Sequence, residues 1–203
     1  MQTNNVLTRK VLVITSTLLL LHSIVYSQVD KYMNNCIKAY DLVYNKPAGF
    51  VEVYPELPYF AGNRIVPNAY IYELQSEKSD ITICISVMDL ASINDSAIIK
   101  FDPMADRNAN FIRKIRLYAD TLHDQNFFFP EKYVKHTFHA SDAAIYKLNN
   151  TTSYRNKYPF CKVLSIHKKD KTDIEISYFY NESSKPYIKQ CIKQTQEMLT
   201  FKE

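Results

Sequence analysis

Residues 160–180 read FCKVLSIHKKDKTDIEISYFY, and this stretch decides the fold. The runs Phe160–Lys168 and Ile174–Tyr180 are rich in the β-branched and aromatic residues that favour strands. The segment between them, KDKTD at 169–173, is polar and leaves room only for a tight reversal of the chain. The sequence therefore predicts a β-hairpin here, and with it an antiparallel sheet.

More strands are predicted around this hairpin. In Ile81–Met88, apolar β-branched residues alternate with smaller or more polar ones, which is typical of a strand. The polar segment 76–80 would join it by a second hairpin to a strand at 69–74. Three further strands are predicted, at 49–54, 132–140 and 143–148.

Two main amphipathic helices are predicted, at 105–125 and 185–201, because apolar side chains recur there every three to four residues. Pro186 suits the first turn of the second helix. The segment 29–44 is also expected to begin as a helix. The predicted order, β-β-β-α-β-β-β-β-α, indicates an α+β fold: an antiparallel sheet of about six to seven strands flanked by two main helices.

This order of elements resembles the Mog1/PsbP-like fold, whose members include small secreted bacterial proteins. The similarity lies in GFVEVYPE at 49–56, in the central helix and in ISYFYNESSKPYIKQCIKQTQEMLTFK at 176–202. The resemblance implies that the last helix ends in a short apolar-aromatic tail, here Met198–Phe201. Members of the family act as extrinsic photosystem subunits, as a regulator of a nuclear-transport GTPase, or in unknown roles, so the resemblance transfers no active site.

The first 27 residues have the three zones of a secretory signal peptide. Arg9 and Lys10 precede the apolar run VLVITSTLLLLHSIV at 11–25, and cleavage is predicted between Ser27 and Gln28. The alternative is a retained membrane anchor, but this run would span only about 22 Å of a hydrocarbon core of roughly 30 Å. We therefore expect a single secreted or periplasmic domain at 28–203, with no stable membrane span after cleavage.

Glycine content and charge exclude several classes of function. Gly49 and Gly62 are the only glycines, whereas Rossmann, P-loop and nucleophile-elbow motifs each need two or more closely spaced ones. The formal charge of +4 falls to +2 when Arg9 and Lys10 are removed, because 23 basic and 21 acidic side chains remain. The sequence therefore predicts no cofactor and no nucleic-acid partner.

The four cysteines, Cys36, Cys84, Cys161 and Cys191, are too widely spaced for a C-x-x-C metal or redox motif. Their apolar surroundings indicate buried free thiols. Export would bring them into an oxidising compartment, where disulfides can form. If one bridge forms, the candidate pair is Cys36–Cys191.

No set of residues close in sequence points to catalysis or to a metal. His136 and His139 lie three apart on a predicted strand, so their side chains would face opposite sides. Ser141 and Asp142 are near His139, but a catalytic triad requires adjacency in space, and no nucleophile motif is present. Lys114, with its basic neighbours, is expected on the solvated face of the central helix.

The candidate partner surface is aromatic. It comprises Tyr59 and Phe60 in the loop 54–60, and Phe128 in a run of three phenylalanines that cannot all point to one side of a strand. Exposed Tyr or Phe would also suit a saccharide, although the chain has no Trp. The sequence thus favours a non-enzymatic binding or accessory domain of the cell envelope, with an unknown protein or small ligand as its partner. The alternative is a secreted hydrolase with an unrecognised active site.

Overall fold

The hairpin at 160–180 lies at the centre of the sheet. Strand β6, Phe160–Lys168, pairs antiparallel with β7, Thr172–Tyr180, as the sequence predicts. In their register Leu164 lies opposite Ile176. The structure, a computed structural model, describes residues 31–55, 70–92, 106–120, 128–148 and 153–203.

Six strands form one antiparallel sheet in the order β2-β3-β4-β7-β6-β5. Strand β4, Ile81–Asp89, pairs antiparallel with β7 along its whole length. It also pairs antiparallel with the strand before it in the chain, which confirms the second predicted hairpin. The other strands of this sheet are β2 at Phe50–Val53, β3 at Tyr72–Ser76 and β5 at Asp142–Lys147. Two short strands, β1 at Leu42–Tyr44 and β8 at Leu199–Phe201, form a separate ladder.

Helices cover this sheet, so the fold is α+β. Residues 31–39 form α1. The others are α2 at Ala109–Tyr118, α3 at Glu131–Thr137 and α4 at Ile188–Thr195, which follows a 3-10 turn at Lys185–Tyr187. In the ranges that the structure describes, no helix is both long enough and apolar enough to cross a bilayer.

The alternation of side chains along β7 gives the sheet two unlike faces. Ile174, Ile176 and Tyr178 pack with residues of α1, α3 and α4 on what we call the apolar face. Asp173 and Glu175 lie on the opposite side, which α2 covers and which we call the polar face. Every residue of β7 is buried. Polar side chains on the second face therefore need partners inside the protein.

The predicted strand at 132–140 is wrong, because Glu131–Thr137 forms α3. Val134 and Phe138 are spaced by one helical turn, and both are buried in the apolar core. The tyrosine, valine and threonine of this segment favour strands in isolation, but burial of one helical face overrides that preference.

The C-terminal helix is shorter than predicted. It ends at Thr195 instead of residue 201, and β8 turns back to pair with β1. Strand β1 in turn replaces the end of the helix expected at 29–44. Leu199 and Phe201 are buried, so the apolar-aromatic tail is a core strand.

Other boundaries shift as well. The central helix occupies 109–118 rather than 105–125, and the strand expected at 69–74 lies at 72–76. Within the described ranges the order is therefore α-β-β-β-β-α-α-β-β-β-α-β instead of β-β-β-α-β-β-β-β-α. The signal peptide with its Ser27–Gln28 cleavage site, and the residues Tyr59 and Phe60, lie outside the described residues.

Candidate functional site

A large groove lies between α4 and the turn that joins β3 to β4. Its volume is about 1070 Å³. It is lined by residues 47–50, by residues 76–81 and by positions between 183 and 195, and we call it the α4 groove. Concave sites of roughly this size are the usual form of a ligand site. The chemistry of each wall then determines what the groove can bind.

The turn wall is organised by Ser76. Its hydroxyl oxygen accepts hydrogen bonds from the backbone N–H groups of Lys78 at 3.3 Å and Ser79 at 3.2 Å. The backbone N–H of Glu77 donates to the carbonyl of Gly49 at 3.0 Å. Gly49 has a φ of 77°, in the left-handed region that favours glycine. Because these backbone donors are satisfied, the turn presents mainly side chains to the groove.

A hydrogen-bond network joins this turn to the segment before α4. Ser184 Oγ donates to the carbonyl of Asp80 at 2.6 Å, and Asn181 Nδ2 donates to the Asp80 carboxylate at 3.4 Å. Lys157 Nζ donates to the same carboxylate at 2.6 Å. The hydrogen bond from Lys157, and then that from Asn181, lowers the pKa of Asp80. The two walls are therefore fixed relative to each other.

Helix α4 forms the opposite wall. Cys191 and Thr195 are buried and line the groove, whereas Gln190 and Gln194 are exposed and line it one helical turn apart. Neither glutamine carboxamide has a hydrogen-bond partner within the described part of the chain. Tyr187, in the 3-10 turn, is 57% exposed and also lines the groove. This wall therefore offers two amides and a ring.

The inner surface of the groove is apolar and carries no reactive thiolate. Ile81 is fully buried there, and Phe50 is half-buried. Burial raises the pKa of the Cys191 thiol to about 11, so the thiol is protonated at neutral pH and is a poor nucleophile. The groove thus combines an apolar floor with hydrogen-bonding walls, which suits binding of a ligand that is polar on one side and apolar on the other.

A second cavity, of about 380 Å³, lies where the start of α2 meets the polar face. His167 lines it, and Nδ1 of this imidazole lies 2.6 Å from Asp173 Oδ1, with both side chains buried. Phe111 stacks on the imidazole with ring centroids 5.1 Å apart. Asp142 lies opposite His167 in the strand register and lines the same cavity. A histidine held by a carboxylate is the arrangement that orients a general base.

The structure brings together part of the Ser-His-Asp set considered from the sequence. Ser141 and Asp142 both line the second cavity. His139 does not line it, and its Nε2 lies 3.8 Å from the carboxylate of Glu203. The hydroxyl of Ser141 accepts a hydrogen bond from the backbone N–H of Lys169 at 3.0 Å, which gives it a role in the hairpin.

Sequence reasoning missed the His167–Asp173 pair, although the predicted hairpin carried the signal. The two residues flank the turn symmetrically, and antiparallel pairing places them opposite each other. The expectation for Lys114 is also wrong. Its Nζ lies 2.8 Å from the buried carboxylate of Glu175, because α2 lies over the polar face rather than leaving this side chain in solvent.

A third polar cluster attaches the turn at 153–158 to the polar face. The Tyr154 hydroxyl donates to Glu73 Oε2 at 2.5 Å, and Arg155 donates to both oxygens of Glu73 at 3.0 Å. Glu73 is only 1% exposed. Although burial opposes it, hydrogen bonding to Glu73 raises the pKa of Arg155. Both carboxylate oxygens are bonded, so this cluster is a structural anchor.

Of the aromatic surface expected from the sequence, only Phe128 falls within the described ranges. It is 51% exposed, with its ring near the ring of Phe111. All four cysteines carry free thiols in the structure, and the Cys36–Cys191 bridge stays a prediction for an oxidising compartment. No group of three or more His, Cys, Asp or Glu side chains suited to a metal occurs among the described residues.

No family model and no curated protein matches the chain. The candidate sites are therefore argued from their own geometry.

Proposed function

We propose that this chain is an exported, non-enzymatic binding domain and that the α4 groove holds its ligand, a small molecule or a segment of a partner protein. The observation that carries the proposal is the groove of about 1070 Å³, whose wall holds the carboxamides of Gln190 and Gln194, to which no described residue is hydrogen-bonded. Polar groups that are not engaged inside the protein are available to a ligand.

The fixed walls support binding. Asp80 is bonded to Lys157 and Asn181, and its carbonyl accepts a hydrogen bond from Ser184. A groove whose walls are already positioned loses little conformational entropy when a ligand enters. The protonated thiol of Cys191 adds no nucleophile, which favours binding over catalysis.

The test is native mass spectrometry of the chain purified without denaturation from the cells that make it. The expected result is a bound species, or binding when an extract of the same cell envelope is added. The double substitution Gln190→Ala with Gln194→Ala should abolish this binding. The control is Lys189→Ala with Lys193→Ala, at exposed positions of α4 outside the groove lining, and it should bind as the unchanged protein does. Binding that the groove variant leaves intact would place the site elsewhere.

We also propose that the domain works outside the cytoplasm, as a secreted or periplasmic protein. The three-zone sequence of the first 27 residues supports this. The intact mass of the protein from its native host should match a chain that begins at Gln28. A mass that retains Met1 would contradict cleavage.

We propose that the domain has the Mog1/PsbP-like fold. The antiparallel sheet and the closing strand, helix and apolar tail at 172–201 support it. An experimental structure should superpose on members of that family over the whole six-stranded sheet, and a different strand order would exclude it.

A hydrolase is the second candidate, because His167 bonded to Asp173 lines a cavity together with Asp142. In that case the chain would hydrolyse some p-nitrophenyl esters or glycosides, and His167→Gln would reduce the rate by about 10²–10⁴-fold. The binding proposal expects no turnover above background in the same assays. Turnover that depends on His167 would therefore favour the hydrolase.

A further inference from the structure

We infer that the ligand of the α4 groove is an uncharged saccharide; this inference rests on the proposed function of the groove and specifies its ligand class. Three properties of the groove lining lead to it: its charge balance, the hydrogen-bonded backbone of its turn, and two amides and an exposed tyrosine on one wall.

The charge balance of the lining does not favour an anion. Its described charged residues are Glu77, Lys78 and Asp80. Lys157 neutralises Asp80 from outside the lining, and Lys78 follows Glu77 directly in the exposed turn. A phosphate or carboxylate ligand requires positioned cations, usually as a bidentate arginine or a lysine cluster, and the lining supplies one lysine.

The backbone of the turn does not favour an extended peptide. Peptides that add to a protein as a strand bind through unpaired backbone groups. Here the backbone N–H groups of Glu77, Lys78 and Ser79 already donate within the turn or to Gly49. Recognition on the turn wall therefore depends on side chains.

The side chains suit hydroxyl groups. Gln190 and Gln194 each carry an amide that donates and a carbonyl that accepts, and a sugar hydroxyl can do both. Residues one helical turn apart have Cβ atoms about 5–6 Å apart, so the two amides can reach separate hydroxyls of one ligand. On the opposite wall, the hydroxyl of Ser79 donates to Ser76 Oγ at 3.0 Å and can still accept a hydrogen bond from a ligand.

Tyr187 supplies the apolar contact. Tyr187 is 57% exposed, in a 3-10 turn that begins with Lys185-Pro186 and is fixed by the hydrogen bond from Ser184 to Asp80. A ring of this kind offers a flat apolar face and a polar hydroxyl, so it can pack against the C–H face of a pyranose while the edges hydrogen-bond. Tyr187 can therefore serve where the sequence provides no Trp.

The test is a two-dimensional amide NMR titration of the full chain with chitotriose, cellotriose and maltotriose, together with trialanine as a peptide probe. The inference expects at least one saccharide to shift resonances at 76–81 and 187–195, with trialanine inert. Gln190→Ala with Gln194→Ala, and separately Tyr187→Ala, should each weaken saccharide binding about tenfold or more. The matched controls, Lys189→Ala with Lys193→Ala and the exposed Tyr32→Ala, should bind as the unchanged protein does.

Every other outcome contradicts the saccharide inference, the assignment of the site to the groove, or both. Groove resonances that shift with trialanine or with an envelope extract, but with no saccharide, would overturn the saccharide inference and leave the groove as a binding site. Saccharide binding that the groove variants do not weaken would overturn the assignment of the site. Groove resonances that respond to no probe and to no extract would overturn both the inference and the proposed function.

Discussion

Glu73 shows what a single residue contributes to this fold. Its carboxylate is almost fully buried, and Tyr154 and Arg155 stabilise it by hydrogen bonds to both of its oxygens. A buried charge that loses its partner is costly, because water cannot replace the lost hydrogen bonds. The turn at 153–158 is therefore attached to the sheet by a charge pair as well as by apolar contacts.

Arg155→Ala should lower the free energy of unfolding by about 3 kcal/mol, the lower end of the range for a broken buried pair, because solvent reaches part of the guanidinium. Tyr154→Phe should lower it by about 1–2 kcal/mol. Urea denaturation measures both. Arg116→Ala, at an exposed position of α2, is the control and should stay within about 0.5 kcal/mol. If Arg155→Ala lowers the free energy of unfolding by no more than the control does, this pair does not stabilise Glu73.

The thiols provide a second prediction at this scale. Cys36 is partly exposed, whereas Cys84, Cys161 and Cys191 are buried. Burial raises the pKa of Cys84 well above its usual value, and that of Cys191 to about 11, so both are protonated at neutral pH. Iodoacetamide should therefore label Cys36 first in the native protein, as peptide mass spectrometry would show. A native mass lower by two hydrogens would instead place a disulfide in the chain, with Cys36–Cys191 as the pair to test.

At the scale of elements, the turn at 76–80 and the segment at 181–184 depend on each other through Asp80. Because Lys157 and Asn181 lower the pKa of Asp80 below its value in the unfolded chain, this carboxylate stabilises the folded state when ionised. The contribution is fully present above the unfolded pKa of about 4 and is lost as the pH falls through the lowered pKa. Both side chains of the Lys157–Asp80 pair are partly exposed, so the effect is modest.

Asp80→Asn should therefore lower the free energy of unfolding at neutral pH by about 0.5–1 kcal/mol. The difference between the variant and the unchanged protein should shrink as the pH falls below about 4. Thermal unfolding at a series of pH values measures this difference. A difference that persists undiminished to about pH 2 would show that the charge of Asp80 is not its source.

The elements also show how far sequence patterns predict this fold. The hairpin at 160–180 was predictable because residue preference, turn composition and length all agree there. The helix at 131–137 was not, because its strand-favouring residues are overridden by the burial of Val134 and Phe138. The pairing of β8 with β1 joins residues far apart in the chain, and no local pattern encodes it.

The whole molecule buries both faces of its sheet, and this explains why its polar groups were hard to interpret from sequence. Lys114, predicted to lie in solvent, bonds Glu175 beneath α2, and His167 bonds Asp173 on the same face. The α4 groove was not predicted, because it is assembled from three segments that meet only in the folded chain. Of its residues, the sequence marks only Cys191 as a candidate for any site, as a disulfide partner.

The measurement that tests the binding account most directly is amide hydrogen–deuterium exchange of the chain with and without an extract of its native cell envelope. If the groove binds the ligand, the extract should slow exchange at 47–50, 76–81 and 183–195. This slowing should be lost in the double variant Gln190→Ala with Gln194→Ala and retained in the control Lys189→Ala with Lys193→Ala. Slower exchange at 106–112 and 141–142, around the His167 cavity, with the α4 groove unchanged, would contradict it.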